Sequence, residues 1–392
     1  LGKDEKRLGP ELTLSLRRQQ AIIECAALEA KGGLTRDVTL AATLPSVSSG
    51  QRGVATCFNT NGTDWLVAAT AQRDEFVVTR VDNGEVAETY RVNRRASSMA
   101  FDRYESVLAT WESAQRATRG PKPQPVPGVR PGISAVLYAW FSATKAVTLF
   151  TADGRLEQWD FDNAIDLNPY VNATSAVCSK VTDIRDQLPA WPAGLTAEKI
   201  AVGTKDHVAA IRVDTDGNVA FVDLQKGSLK GTVAAGHFTT MRMAWDGSLA
   251  LFVGDGPVRV AFVGRDKEAR VLWKESPEFD HAYIGLRCRS VYLVTPDRIR
   301  VLDAESGEES ISMVPTLPVD QAYRMENGYD GRFIIESSRQ KLVIRKVNTS
   351  YVAEFVAALK GAAEIYQLVV GEDGRQLVVA TAERSALLYR LR

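Results

Sequence analysis

TADGRLEQWDF, residues Thr151–Phe161, runs from an Asp-Gly turn at Asp153-Gly154 into a short strand that ends on Trp159-Asp160. Whether that Trp-Asp pair is chance or one of a series decides the fold. The run just before it, AVTLF from Ala146, is short, apolar and rich in strand-forming residues, and runs of this kind recur. They are WLVAA from Trp65, VLATW from Val107, HVAAI from His207, LALFV from Leu249, SVYLV from Ser290, FIIES from Phe333 and LVVAT from Leu377. With AVTLF in its place, the starts are 42, 39, 61, 42, 41, 43 and 44 residues apart. All but one interval match a unit of four short strands with their turns, about 40–45 residues long.

The surroundings of each run repeat as well. A strand and a tight polar turn precede it: Asn61-Gly62, Asp246-Gly247, Asp330-Gly331, Asp373-Gly374. These residues tolerate the positive φ that two-residue hairpin loops demand. A second turn and strand follow, as Asp153-Gly154 with RLEQWDF, Asp216-Gly217 with NVAFVDL and Pro296-Asp297 with RIRVLDA. Near the end of that third strand an apolar residue precedes Asp: Val81-Asp82, Trp159-Asp160, Val222-Asp223, Leu302-Asp303. Trp159-Asp160 is one of a series. Over roughly residues 38–392 the chain resembles the WD40 family of β-propellers in degraded form, with one literal Trp-Asp and one Gly-His, Gly236-His237, ahead of the strand MRMAW. The expected fold is all-β: four-stranded antiparallel blades, eight by count with seven as the alternative. The resemblance implies a ring used as an interaction platform. The hydrogen-bonded Asp-His-Ser/Thr-Trp staple of well-formed blades is expected in a few blades at most.

The last repeat, IYQLVV, QLVVAT and ALLYRL, ends at Arg392 with three strands, which leaves an open edge. Residues 37–45, DVTLAATLP, alternate Val38, Leu40, Ala42 and Leu44 against Thr39, Ala41 and Thr43, and are expected to close the ring as its outer strand. Residues 1–36 form a helical extension in which Leu12, Leu16, Ile22, Ile23, Ala26 and Ala30 approximate one face, with Gly32-Gly33 as the stop. That face is expected to pack on the rim, with docking of a partner as the alternative. The 61-residue interval implies an insertion at 163–195 on one face. The second unit has no room for two good strands behind VLATW.

Composition excludes more than it selects. Lys plus Arg and Asp plus Glu are 48 each, so no global field favours nucleic acid or a membrane surface, and recognition by charge must be local. No apolar run is long enough for a membrane span. Cys25, Cys57, Cys178 and Cys288 are scattered and unpaired in spacing, which favours reduced thiols and an intracellular compartment. His207, His237 and His281 have no ligand spacing, so no metal is expected, and no signature of a nucleophile elbow, a phosphate loop or a dinucleotide fold occurs. No cofactor and no catalysis are expected.

Two stretches are candidate partner surfaces. Residues 113–133 hold Arg116, Arg119, Lys122 and Arg130, five prolines and no acid, a composition that stays extended and offers local positive charge. The insertion carries Tyr170 and Trp191 beside prolines, aromatics of the kind that anchor interfaces. The function expected is a non-catalytic scaffold for other proteins in a multi-subunit complex. The alternative is an RNA-associated subunit of a ribonucleoprotein docking through the basic loop, and a propeller enzyme comes third.

Overall fold

The computed structural model describes residues 10–44, 54–60, 63–69, 75–82, 85–93, 96–102, 107–112, 116–118, 136–143, 146–161, 176–188, 191–254, 256–264, 269–275, 279–285, 290–328, 331–348, 353–371, 374–383 and 385–392, with residues 54–118 described by strand position and pairing only. Their strands form seven four-stranded sheets and one of three strands. Each is an antiparallel meander, and in sequence order they make blades 1 to 8. Blade 1 spans 54–93, blade 2 96–118, blade 3 136–183, blade 4 200–234, blade 5 240–275, blade 6 281–313 and blade 7 324–360. Blade 8 joins 365–391 to the N-terminal strand Val38–Leu44. The count is eight.

First strands lie against one another between blades 2 and 3, 4 and 5, 5 and 6, and 7 and 8, and the first strand of blade 1, Val54–Thr60, packs on Ile365–Val370 and Gln376–Thr381 of blade 8. First strands are therefore innermost, and the first and last sheets adjoin. The eight apolar runs are the second strands, one layer out. Leu149, Ile211, Leu251, Val291, Leu293, Ile334, Val378 and Ala380 are all buried there, while the side chain of Val147 lies outside the described residues. These strands touch sheet on both faces, which is why they read as continuous apolar runs.

The ring closes through the N-terminal strand that the sequence marks, though not with its period of two. Val38–Leu44 pairs antiparallel with Ala386–Leu391, Val38 opposite Leu391 and Leu44 opposite Ala386. A bulge between Leu40 and Ala42 breaks the alternation, so Val38 and Ala42 are buried while Leu40 is 47% exposed. Outside the strand the seam is clamped. Arg392 N–H donates to Asp37 O, 2.9 Å, and the Lys346 ammonium holds both the Asp37 carboxylate and Arg392 O. Residues before the strand run along the outer edge of blade 7: Ala358 N–H donates to Gly33 O and Thr35 N–H to Val356 O.

Three expectations are corrected. Residues 163–195 are not one excursion, because Ala176–Asp183 is the fourth strand of blade 3, paired with Arg155–Phe161. The basic stretch is not all loop, since Arg116–Thr118 pairs with Thr110–Glu112 as the third strand of blade 2. The helix Pro10–Ala30 packs on Ala353–Lys360, but Leu12, Ile22 and Ile23 are 52%, 49% and 67% exposed. The face turned inward is Leu14, Ala21, Cys25 and Leu28, with Cys25 against the core between blades 6 and 7 and Arg18 paired with Asp297 at 3.2 Å.

One device repeats that the residue pattern marks without explaining. In blades 1, 3, 4 and 6 the third and fourth strands slip register between Arg80 and Val81, Gln158 and Trp159, Phe221 and Val222, and Val301 and Leu302. In each, the residue after the slip is the apolar member of the apolar–Asp pair. In blades 4 and 6 the carboxylate then caps the next turn. Asp303 Oδ1 accepts from the backbone N–H groups of Glu305 and Ser306, and Asp223 Oδ1 from that of Lys226. A bulge raises local twist, and outer strands of a blade need it to stay level with the tilted inner ones.

Removing residues 1–46 should leave Ala386–Leu391 as a bare edge, with aggregation or a large fall in melting temperature by light scattering and calorimetry. Unchanged melting of a monomer would disprove the closure. Leu293→Ala, at a side chain 2% exposed, should cost about 2–5 kcal/mol in urea unfolding.

Candidate interaction surface at one end of the ring

A meander places its second-to-third turns and its connections to the next blade at the same end. That end gathers Asp153-Gly154, Trp191, Gly236-His237, Asp297, Asp320, Arg339 and Glu364. Trp191 is tied down there. Its Nε1–H donates to Ala152 O at 3.0 Å and its ring meets Phe150 edge-on at 6.4 Å. Gly154, at φ 82°, lies so close under the indole and Arg185 that a β-carbon would collide with both. The indole thus fastens the connection between blades 3 and 4 to the turn that opened the sequence reading. Arg116 starts its short strand with its side chain outside the described residues, where Tyr170, Arg119, Lys122 and Arg130 also lie. Of the six candidates, Trp191 is the one whose side chain lies among the described residues.

Between blades 7 and 8 this end carries an open cleft of about 710 Å³, lined by Asp320, Gln321, Ala322, Arg339, Gln340 and Glu364. Arg339 sits at φ 54° in the turn after Phe333–Ser338, where its carbonyl accepts from Ile365 N–H at 2.6 Å, joining the two blades. Its guanidinium pairs with Asp320 at 3.2 Å. The Asp320 carboxyl is held below its usual value first by the Ala322 N–H and then by Arg339. Gln340 is fixed by donating Nε2–H to Ala362 O, 3.2 Å.

Under the cleft lies a buried ion pair. Glu336, fully buried, faces Arg345, 4% exposed, at 2.6 Å. Arg345 also donates to Val314 O at 2.7 Å and Thr316 Oγ1 at 2.8 Å, and the Tyr323 hydroxyl donates to Glu336 at 3.1 Å. Burial and then the Glu336 charge push the Tyr323 phenol well above its ordinary value. Two charges at this depth persist only when the surrounding groups satisfy them. Here they hold both ends of the 314–323 connection, so Asp320 and its neighbours stand on a rigid floor. The sequence signal is faint: one Glu inside FIIES and one Arg inside VIRK, on adjacent paired strands.

His207 and His281 pack against aromatic rings. His207 accepts or donates one hydrogen bond with Tyr138 Oη at 3.0 Å and stacks on Trp140 at 4.8 Å, and burial lowers its pKa from 6.5 to about 4. His281 stacks on Tyr283 at 6.2 Å. Among the described residues no three His, Cys, Asp or Glu side chains gather to hold a metal. On the inner strands Arg242 lies over the Tyr283 ring at 5.0 Å. Burial raises the nearby Glu326 carboxyl to about 7 against the pull of Arg242.

These two groups set opposite pH trends. For His207 the unfolded chain binds the extra proton, so its contribution to stability is lost as pH falls from 6.5 to about 4. For Glu326 the folded chain binds it, so its contribution is lost as pH rises from 4.5 to about 7. Urea midpoints against pH should show His207→Asn flattening the acid side and Glu326→Gln removing the decline toward neutrality. Parallel profiles for all three proteins would refute the assignment.

The architecture is that of a β-propeller of four-stranded antiparallel blades. No family model matches the chain, and no curated protein matches it. Among solved structures, BamB from Moraxella catarrhalis is similar over 90% of this chain and 100% of its own, with a TM-score of 0.55 at 12% identity. The β-propeller domain of Cps50 (Swd1) from Myceliophteria thermophila has a TM-score of 0.48 at 13% identity, covering 91% of this chain and 100% of its own. A chain in the Mitotic Checkpoint Complex structure has 0.46 at 12%, covering 92% of each. Likeness at such identity is likeness of fold. No helix among the described residues is long and apolar enough to cross a membrane.

Proposed function

We propose that the protein is a non-catalytic interaction scaffold, a WD40-like subunit of a multi-protein assembly that holds a protein partner in the cleft between blades 7 and 8. The observation that carries this is the cleft itself: acid, base and amide groups on fixed turns over a buried Glu336–Arg345 floor. Pockets for small molecules are mostly apolar and enclosed. An open, polar depression with charge of both signs suits a segment of another protein's surface, where complementarity sets orientation and specificity. On this reading residues 1–36 are an extension and 37–392 the propeller. The free thiol of Cys25 fits a reducing, intracellular setting.

The rival reading, docking on RNA through Arg116, Arg119, Lys122 and Arg130, rests on local charge that only a partner within about 8 Å would feel at physiological salt. Two charge-reversed proteins separate the two. One carries Asp320→Lys, Arg339→Glu and Glu364→Lys, and the other has Glu at the four basic positions. Capture from cell extract, with crosslinking and mass spectrometry, should lose partners with the cleft variant. The melting temperature should barely move, because exposed pairs contribute little. Partners retained in full by the cleft variant would sink the scaffold site. Loss of RNA from the loop variant alone would favour the rival.

A further inference from the structure

The helix Pro10–Ala30 has a second apolar seam. Its inward residues Leu14, Arg18, Ala21, Cys25 and Leu28 are spaced four, three, four, three. Leu12, Leu16, Gln19, Ile23, Ala26 and Ala30 follow the same spacing on the opposite side. Alternating steps of three and four are the a and d positions of a coiled-coil seam. This outer seam is solvent-facing: Leu12 and Ile23 are 52% and 67% exposed, Gln19, Ala26 and Ala30 are exposed, and Leu16 is half-buried.

We propose that this helix is a homodimerisation element, pairing antiparallel with the same helix of a second copy. The occupant follows from the seam's residue sizes. In an antiparallel pair a positions meet d positions, and here that matches Leu12 with Ala30, Leu16 with Ala26 and Gln19 with Ile23 of the second copy. Each leucine of the first half meets an alanine of the second, the condition for interdigitated packing without voids or overlap. A parallel pair would set Leu against Leu at one end and Ala against Ala at the other. The contact is isologous, so one two-fold axis generates all of it and closes the assembly at two. Gln19 fixes the register, as a polar residue at a seam position does. Because the outer seam lies opposite the packed one, the propellers fall on the two outer sides of the helix pair and do not collide.

A helix of 21 residues is about 31 Å long, and one such pair buries less than a standard stable interface. The dimer is therefore weak and concentration-dependent. Sedimentation equilibrium of the full chain, from low micromolar to near-millimolar concentration, should show a monomer–dimer equilibrium. Leu16→Ala leaves two holes and Ala26→Leu makes two overlaps, so each alone should weaken the dimer at least tenfold. The double variant L16A/A26L exchanges large and small and should restore it. Neither position belongs to the inward seam, so helix content by circular dichroism should hold in all three. A wild-type chain that stays monomeric throughout, single variants that dimerise as well as it does, or a double variant no better than the singles would overturn the proposal.

Discussion

A ring of sheets has one place where chain connectivity cannot hold neighbours together, and this structure closes it with six backbone pairings between Val38–Leu44 and Ala386–Leu391. Without them blade 8 would keep three strands and an unpaired edge, a template for association. The clamp around the seam shares its parts with blade 7, since Lys346 holds Asp37 and the 33–35 backbone bonds to 356–358. Helix, edge of blade 7 and closing strand are thus one continuous N-terminal strap.

Most of the blade count, the order of strands and the closing strand were legible in the residues, because second strands buried on both faces leave apolar runs and tight turns leave Asp-Gly. The apolar–Asp series was visible too, but its meaning was not. Each pair follows a register slip, and Asp223 and Asp303 supply the acceptors that cap the following turns. Residue identity records that a position is special, whereas the slip is a relation between two strands. The helix face was misread for a related reason. Both sides carry seam spacing, and nothing within the helix says which side meets the propeller.

The site was less legible than the fold. Trp191 reads as an interface aromatic by type, yet its N–H has a carbonyl and its ring a phenylalanine within the chain. Glu336 and Arg345 attract no notice as single charges in strands, and only the pairing register brings them to 2.6 Å. A cleft assembled from three separate connections has no contiguous motif to find. Its residues are ordinary turn residues, and their importance lies in the blades that hold them.

The strap also sets a timetable. Residues 33–44 leave the ribosome more than 300 residues ahead of their partners at 353–358 and 386–391. Blades made of consecutive hairpins can form as the chain lengthens, each from contacts close in sequence, while the seam must wait for Arg392. Until then residues 33–44 wait unpaired, with their apolar side chains in water. The step that completes the ring is the one with the longest loop to close, and loss of residues 386–391 would stop it. Damage to that one strand would be felt at residues 33–44, more than 300 positions away in the chain.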